Sequence, residues 1–122
     1  MNDDYYVDEQ LEFTRDEIVT FCRINNDNNP EHNINLDRVL VPGLLVAGKA
    51  FGKTEKTTYL MEQSVRFKDK IFLDEHIFVR KRLVREKKLR AGLFQHISLE
   101  VFSNGSVKYD GWIKILKVEA DK

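Results

Sequence analysis

Asp27-Asn28-Asn29-Pro30-Glu31-His32, followed by Val41-Pro42-Gly43-Leu44-Leu45, is the stretch on which the reading of this chain turns. The first run cannot continue a helix, because Asn and Asp favour turns and Pro30 drives Asn29 out of the helical region. It therefore sets a carboxylate and an imidazole five positions apart in a loop. Pro42 suits the first turn of a following helix, so Gly43 falls where backbone N–H groups have no partner within the helix. An acid, an imidazole and a helix N-terminus can together hold a water molecule and stabilise a developing negative charge.

Upstream of this loop, Thr14-Arg15-Asp16-Glu17 has the form of a capping box. Ile18, Phe21 and Cys22 recur at helical spacing, which predicts a helix of two to three turns with one apolar face. Tyr5 to Phe13 reads as a short strand leading into it. Downstream, Leu44, Leu45, Val46, Ala47, Ala50 and Phe51 are apolar almost all round a second helix, which implies burial on most sides. Gly52 and Lys53 suit its end.

From Thr57 the period changes to two. Tyr59 to Phe67, His76 to Val84, Leu89 to Phe102 and Val107 to Val118 are rich in β-branched and aromatic residues. Asn104-Gly105 predicts a tight hairpin between the last two strands, and Arg85-Glu86-Lys87-Lys88 a looser one before them. Alternation places Ala91, Leu93, Ile97, Leu99 and Val101 on one face, assigned to the helix side, and Phe94, His96, Ser98 and Phe102 on the other. The pattern is α+β: an antiparallel sheet of about five strands wrapped round a central helix.

Bulk properties exclude several classes. The 122 residues read as a single domain, 1–122, and its 20 basic and 20 acidic residues cancel, so no net field points to nucleic acid. No apolar run is long enough to insert in a membrane. One cysteine, Cys22, excludes an internal disulfide framework and fits a reducing compartment. The acidic start Met1-Asn2-Asp3-Asp4 lacks the form of a signal peptide. The expectation is a soluble cytoplasmic protein.

With these elements on the page, the chain resembles the MaoC-like branch of the hotdog fold, which includes the R-specific enoyl-CoA hydratases. The loop of that family reads roughly G-D-x-N-P-x-H, and Asp27, Asn29, Pro30 and His32 match it. Val41-Pro42-Gly43-Leu44-Leu45 is similar to the start of its central helix, and Val65-Arg66-Phe67 through Ile77 to its strand, wide turn and strand. Asn26 stands where the family usually has glycine, Glu31 where it has an apolar residue, and Arg38 where a small one is usual. The segment from His32 to Pro42 is shorter than in typical members.

The resemblance implies a hydro-lyase that reversibly hydrates a trans-2-enoyl thioester to the 3-hydroxyacyl thioester. Asp27 and His32 would be catalytic; Gly43, Asn29 and Leu44 would bind substrate, the Gly43 N–H at the thioester carbonyl. No cofactor is implied. The expected partners are an acyl-CoA or acyl-carrier-protein thioester and a second copy of the chain, as a homodimer or higher oligomer.

Each residue has a plainer reading. Asp27 could serve as a cap on the turn, Cys22 as core packing, and His76 and His96, which have no acid at useful spacing, as surface or satisfied core positions. Two ligands from the loop fall short of a metal site. The run Arg80-Lys81-Arg82, with Arg85, Lys87, Lys88 and Arg90, reads either as a docking patch for phosphates or an acidic carrier, or as a solvated strand end. A thioesterase or carrier-protein dehydratase would be expected to carry an acid on the central helix, and between Gly43 and Lys53 there is none. The alternatives are a non-catalytic module that binds an acyl thioester or a protein, and an acyl-CoA thioesterase, against which the missing acid counts.

Overall fold

In the computed structural model, which describes residues 6–52 and 57–118, the change of period at Thr57 is the change from helices to strands. Strand β1 (Tyr6–Leu11) and helix α1 (Arg15–Asn25) precede a single 3-10 turn at Pro30–His32, and helix α2 (Gly43–Phe51) follows. The chain then runs through β2 (Thr58–Phe67), β3 (Ile77–Lys88), β4 (Leu93–Ser103) and β5 (Ser106–Lys117). All five strands form one sheet in the order β1-β3-β4-β5-β2, with every neighbouring pair antiparallel.

One face of that sheet closes on the helices. Ile77, Val79, Leu99, Val101 and Tyr109 meet Val46 and Ala50 of α2, Ile18 of α1, and Val39, Val41 and Ile71 of the connecting segments. Leu99 and Val101 thus lie where alternation puts them, and Phe102 and Phe78 stack on the opposite face with ring centroids 5.9 Å apart. Ala91 does not face the helix. It is exposed in the β3–β4 turn.

That turn also corrects the expected strand limits. Pairing of β3 with β4 slips between Leu83 and Arg85, and the bulge lets Arg85 to Lys88 continue in the ladder opposite His96 to Leu93. The reversal comes at Leu89–Gly92, closed by reciprocal hydrogen bonds between the Leu89 and Gly92 backbones, with Gly92 at φ 154°. The charged stretch expected to be a connection is strand. The other hairpin is as expected: Asn104 (φ 53°) and Gly105 (φ 76°) both take the left-handed conformation that a tight two-residue turn demands.

The capping box of α1 forms in full, Glu17 N–H to Thr14 Oγ1 at 3.1 Å and Thr14 N–H to Glu17 Oε1 at 2.8 Å. Glu17 also pairs with Lys49, which caps nothing on its own helix but bonds the Glu12 carbonyl as well. The ammonium beside it holds the Glu17 carboxyl below its ordinary range. Through Lys49, α2 is tied to the start of α1.

Helix α2 is less enclosed than its apolar composition implies. Val46, Ala47 and Ala50 are buried, but Leu44 is 68% exposed, because the sheet covers only one side of the helix. Gly52 caps the helix at φ 82°. Lys53 and Tyr5, both included in the expected element limits, lie outside the described residues. Edge strand β2 carries a second exposed apolar group, Tyr59, Leu60 and Met61.

Candidate active site

The loop after α1 is built by its own polar side chains. Asn26 ends the helix at φ 52°, ψ 43°, a left-handed conformation that asparagine tolerates better than other non-glycine residues. An asparagine in place of the usual glycine therefore keeps the backbone geometry. The Asp27 Oδ1 accepts the Asn29 N–H at 3.0 Å, and the Asn29 Oδ1 accepts the Glu31 N–H at 3.0 Å, so each side chain folds the next two residues of the loop. Pro30 opens the 3-10 turn that carries His32.

His32 is then fixed from the other side. Its Nδ1 lies 2.6 Å from the Leu40 carbonyl oxygen. A carbonyl only accepts, so Nδ1 bears the hydrogen. The carbonyl is itself held in place. The Leu40 N–H donates to the Glu31 carbonyl, Leu40 bridges Phe72, and Val39 and Val41 bond Leu73 and Ile71. With Nδ1 committed, the lone pair of a neutral ring sits on Nε2, 3.5 Å from Asp27 Oδ2. The His32 side chain is only 9% exposed. Two acceptors thus converge, each able to take one hydrogen from the same water molecule.

Helix α2 begins beside this pair. Pro42 at its N-cap offers no side-chain cap, and the first helical bonds are donated by Leu45 and Val46, leaving the Gly43 and Leu44 N–H groups ahead of them. A cleft of about 630 Å³ joins His32, Leu40, Gly43 and Leu44 to Phe67, Lys70 and Tyr109. The sequence-based candidates are therefore divided. His32, Gly43 and Leu44 line one cleft and Asp27 stands behind His32, whereas the Asn29 side chain is engaged with the loop backbone.

Phe67 and Tyr109 escaped the sequence reading. They pair across β2 and β5, with rings edge to face and centroids 4.9 Å apart, at the inner end of the cleft. They pack close over Gly43: a Cβ there would stand 3.0 Å from two carbons of Phe67 and 3.5 Å from the Tyr109 hydroxyl oxygen. The only signal in the sequence was a tyrosine at an inward position of a strand whose other inward side chains are Ile113 and Ile115.

Glu31, which departs from the family loop, points away to Lys70 at 3.1 Å. Arg38 lies over the Phe72 ring, 3.9 Å from its centroid, and near Asp74. Cys22 packs against the core, where burial, and after it the Asp27 carboxylate, push its thiol pKa up. His76 is exposed and His96 sits edge-on to Trp112 on the outer face. No group of metal-ligating side chains forms among the described residues, and no described helix is long and apolar enough to cross a membrane. The basic run of β3 lies along the sheet rather than in the cleft, with Lys81 beside Glu9 and Gly52 near the far end of α2.

No protein-family profile and no curated protein matches the sequence. Solved structures do match in shape. The (R)-hydratase from A. caviae involved in PHA biosynthesis superposes over 98% of this chain and 98% of its own, with a TM-score of 0.76 at 17% identity. R-hydratase PhaJ1 from Pseudomonas aeruginosa covers 96% of this chain and 81% of its own, with a TM-score of 0.68 at 18% identity. The ChsH1–ChsH2 complex from Mycobacterium tuberculosis contains a chain matched over 98% of this one and 86% of its own, with a TM-score of 0.68 at 10% identity. The chain has the hotdog fold, an antiparallel sheet packed on α2 in the arrangement of these structures.

Proposed function

We propose that this protein is a hydro-lyase that adds water to a trans-2-enoyl thioester, with Asp27 and His32 as its acid/base pair. The observation that carries the reading is the convergence of Asp27 Oδ2 and His32 Nε2 at 3.5 Å, with the imidazole tautomer set by the Leu40 carbonyl, beside an uncapped helix N-terminus.

The chemistry follows from those groups. Asp27 and His32 hold one water. His32 Nε2 takes a proton from it as the water oxygen bonds to C3 of the enoyl group. The π electrons move to the thioester oxygen, where the Gly43 N–H and the positive end of α2 stabilise the charge. The enolate then collapses and C2 takes a proton returned through the same pair, so one water is added and nothing is oxidised or reduced. Leu44 contributes an apolar wall to the cleft, and Lys68 and Lys70 place positive charge at its rim, suited to the phosphates of coenzyme A or of a carrier protein's prosthetic group.

The functional unit is at least a homodimer. Edge strand β2 offers unpaired backbone groups beside exposed Tyr59, Leu60 and Met61, and exposed Leu44 marks an open side of α2. The acyl chain would run toward that second copy. Sedimentation at micromolar concentration should give a dimer or larger species; a clean monomer would overturn this part.

Activity is tested by mixing purified protein with crotonyl-CoA and following loss of the conjugated enoyl absorbance. The wild type should consume it, and Asp27→Asn and His32→Gln should not. A wild type inert on short, medium and long enoyl-CoAs sinks the catalytic reading.

A further inference from the structure

We infer that the Tyr109 hydroxyl is a second hydrogen-bond donor to the oxygen that the Gly43 N–H receives, so that the site holds the thioester carbonyl between a helix N-terminus and a phenol. This rests on the hydratase reading and extends it to a residue that no motif in the loop or helix announces.

Three observations place the donor. Tyr109 is 3% exposed, a buried phenol on β5 in the core beneath α2. No hydrogen bond joins its hydroxyl to another described residue. A phenol that meets no protein partner keeps its hydrogen for whatever reaches it. The oxygen is not sealed: among described side chains only the Ser103 Oγ is both unpaired and closed off, and Tyr109 lines the cleft shared with His32 and Gly43.

The direction comes from Gly43. The point where a Cβ would stand on that residue is 3.5 Å from the Tyr109 oxygen and 3.0 Å from the Phe67 ring. Because glycine places no side chain there, the Phe67 ring and the Tyr109 hydroxyl approach the first turn of α2 closely, and the cleft that Gly43, Phe67 and Tyr109 line together runs past both donors. A substrate oxygen in this cleft accepts from the helix N-terminus on one side and from Tyr109 on the other. A carbonyl that gains negative charge is the group that two such donors suit. Phe67, half-exposed and edge-on to Tyr109, forms an apolar wall beside the donor.

The phenol is also chemically suited to donate without transferring its proton. Burial, with a smaller contribution from the Glu75 carboxylate, pushes its pKa up to about 12, so the O–H stays intact at any pH where hydration would be assayed. No bond of the phenol breaks in the proposed step. Its hydrogen bond strengthens as the thioester oxygen becomes enolate-like and relaxes when C2 is protonated.

The test is Tyr109→Phe, which removes one oxygen and keeps the ring that packs on Phe67. Crotonyl-CoA hydration should fall by about 10²-fold in kcat, the usual effect of deleting one oxyanion donor, with KM little changed. An independent readout is acetoacetyl-CoA, whose enolate absorbs in the ultraviolet: the wild type should bind it enriched in the enolate, and Tyr109→Phe should lose that enrichment while retaining its thermal stability. If Tyr109→Phe hydrates crotonyl-CoA as fast as wild type and binds the enolate equally, the donor is overturned and the Asp27–His32 reading stands. If the wild type itself is inert on every enoyl-CoA, both fall together.

Discussion

Two of the concavities among the described residues carry polar groups and use them in opposite ways. The groove on the outer face of the sheet, about 590 Å³, is lined by Arg66, Arg80, Arg82, Glu100, Asp110 and Trp112 and holds more formal charge than the cleft at α2. Its charges answer one another. Arg66 makes a paired contact with Asp110 at 2.9 and 3.0 Å, Arg80 lies 5.6 Å from the centre of the Phe102 ring, and neither Arg80 nor Arg82 is free. The inner cleft has fewer polar atoms, but three of them keep capacity to spare: His32 Nε2, the N-terminus of α2 and the Tyr109 hydroxyl. Unused capacity in a buried place opposes folding, whereas balanced charge on a solvated sheet face costs little. Ser103 refines the point. Its hydroxyl is buried and unpaired too, but it opens on no cleft. Unmet polarity with access is what separates a site from a surface here.

The largest expected effect comes from the inner cleft. Asp27→Asn and His32→Gln should each lower enoyl-thioester hydration by about 10²–10⁴-fold, the range for loss of a positioned general acid or base. Thermal melting should show that both variants still fold. If either keeps near-wild-type turnover, the inner cleft loses its claim to be chemically distinct from the outer groove. Gly43→Ala should act more mildly, and in opposite directions on stability and rate. Alanine is the better helix former by roughly 0.5–1 kcal/mol, and the ring it meets, Phe67, is half-exposed and can yield. Melting should therefore be unchanged or higher, while the added methyl misplaces the substrate and lowers turnover by about 10-fold. A variant both stable and fully active would show that no substrate oxygen approaches the Gly43 backbone.

How much of this was legible beforehand depends on whether the determinant was local. The capping box at Thr14, the stop at Pro30 and the Asn104-Gly105 hairpin were readable because each is a contact within four residues. The acid and imidazole were readable as a spacing, and the match of Asp27, Asn29, Pro30 and His32 to a known loop named the fold. What remained hidden was set by distant chain. The Leu40 carbonyl fixes the His32 tautomer only because residues 39–41 pair with 71–73. Tyr109 joins the cleft only because β5 lies beside β2 and under α2. The β3–β4 reversal was misplaced because a bulge at Val84 carries the ladder through four charged residues that alternation treats as a loop.

Tyr109 also sets a pH dependence that separates the two concavities. Its ordinary pKa is 10.0 and burial raises it to about 12. Below pH 10 the phenol is protonated in both folded and unfolded chains and adds no pH dependence. Between 10 and 12 the unfolded chain has lost the proton and the folded chain has kept it, so stability falls as pH rises. The loss should total on the order of 2 kcal/mol by pH 12. Denaturant midpoints for wild type and Tyr109→Phe across that window should differ by this slope. Parallel curves would mean that the phenol is better solvated than its burial indicates, and the cleft would lose its unmet donor.

The smallest effect is expected outside. Arg66 is held by Asp110, and that contact keeps the Asp110 carboxyl below its ordinary range. The Arg66 side chain is nonetheless largely solvated, so water replaces most of what a deletion removes. Arg66→Gln should leave hydration of crotonyl-CoA unchanged and shift melting little, and added salt should erase what difference remains. A large loss of activity in this variant, with the fold intact, would mean that the outer groove communicates with the cleft through the two paired strands they share: β2 carries Arg66 outward and Phe67 inward at adjacent positions, and β5 does the same with Asp110 and Tyr109. Charge that answers charge would then be holding the wall of the cleft in place, and balance on a sheet face could no longer be taken as a sign of indifference.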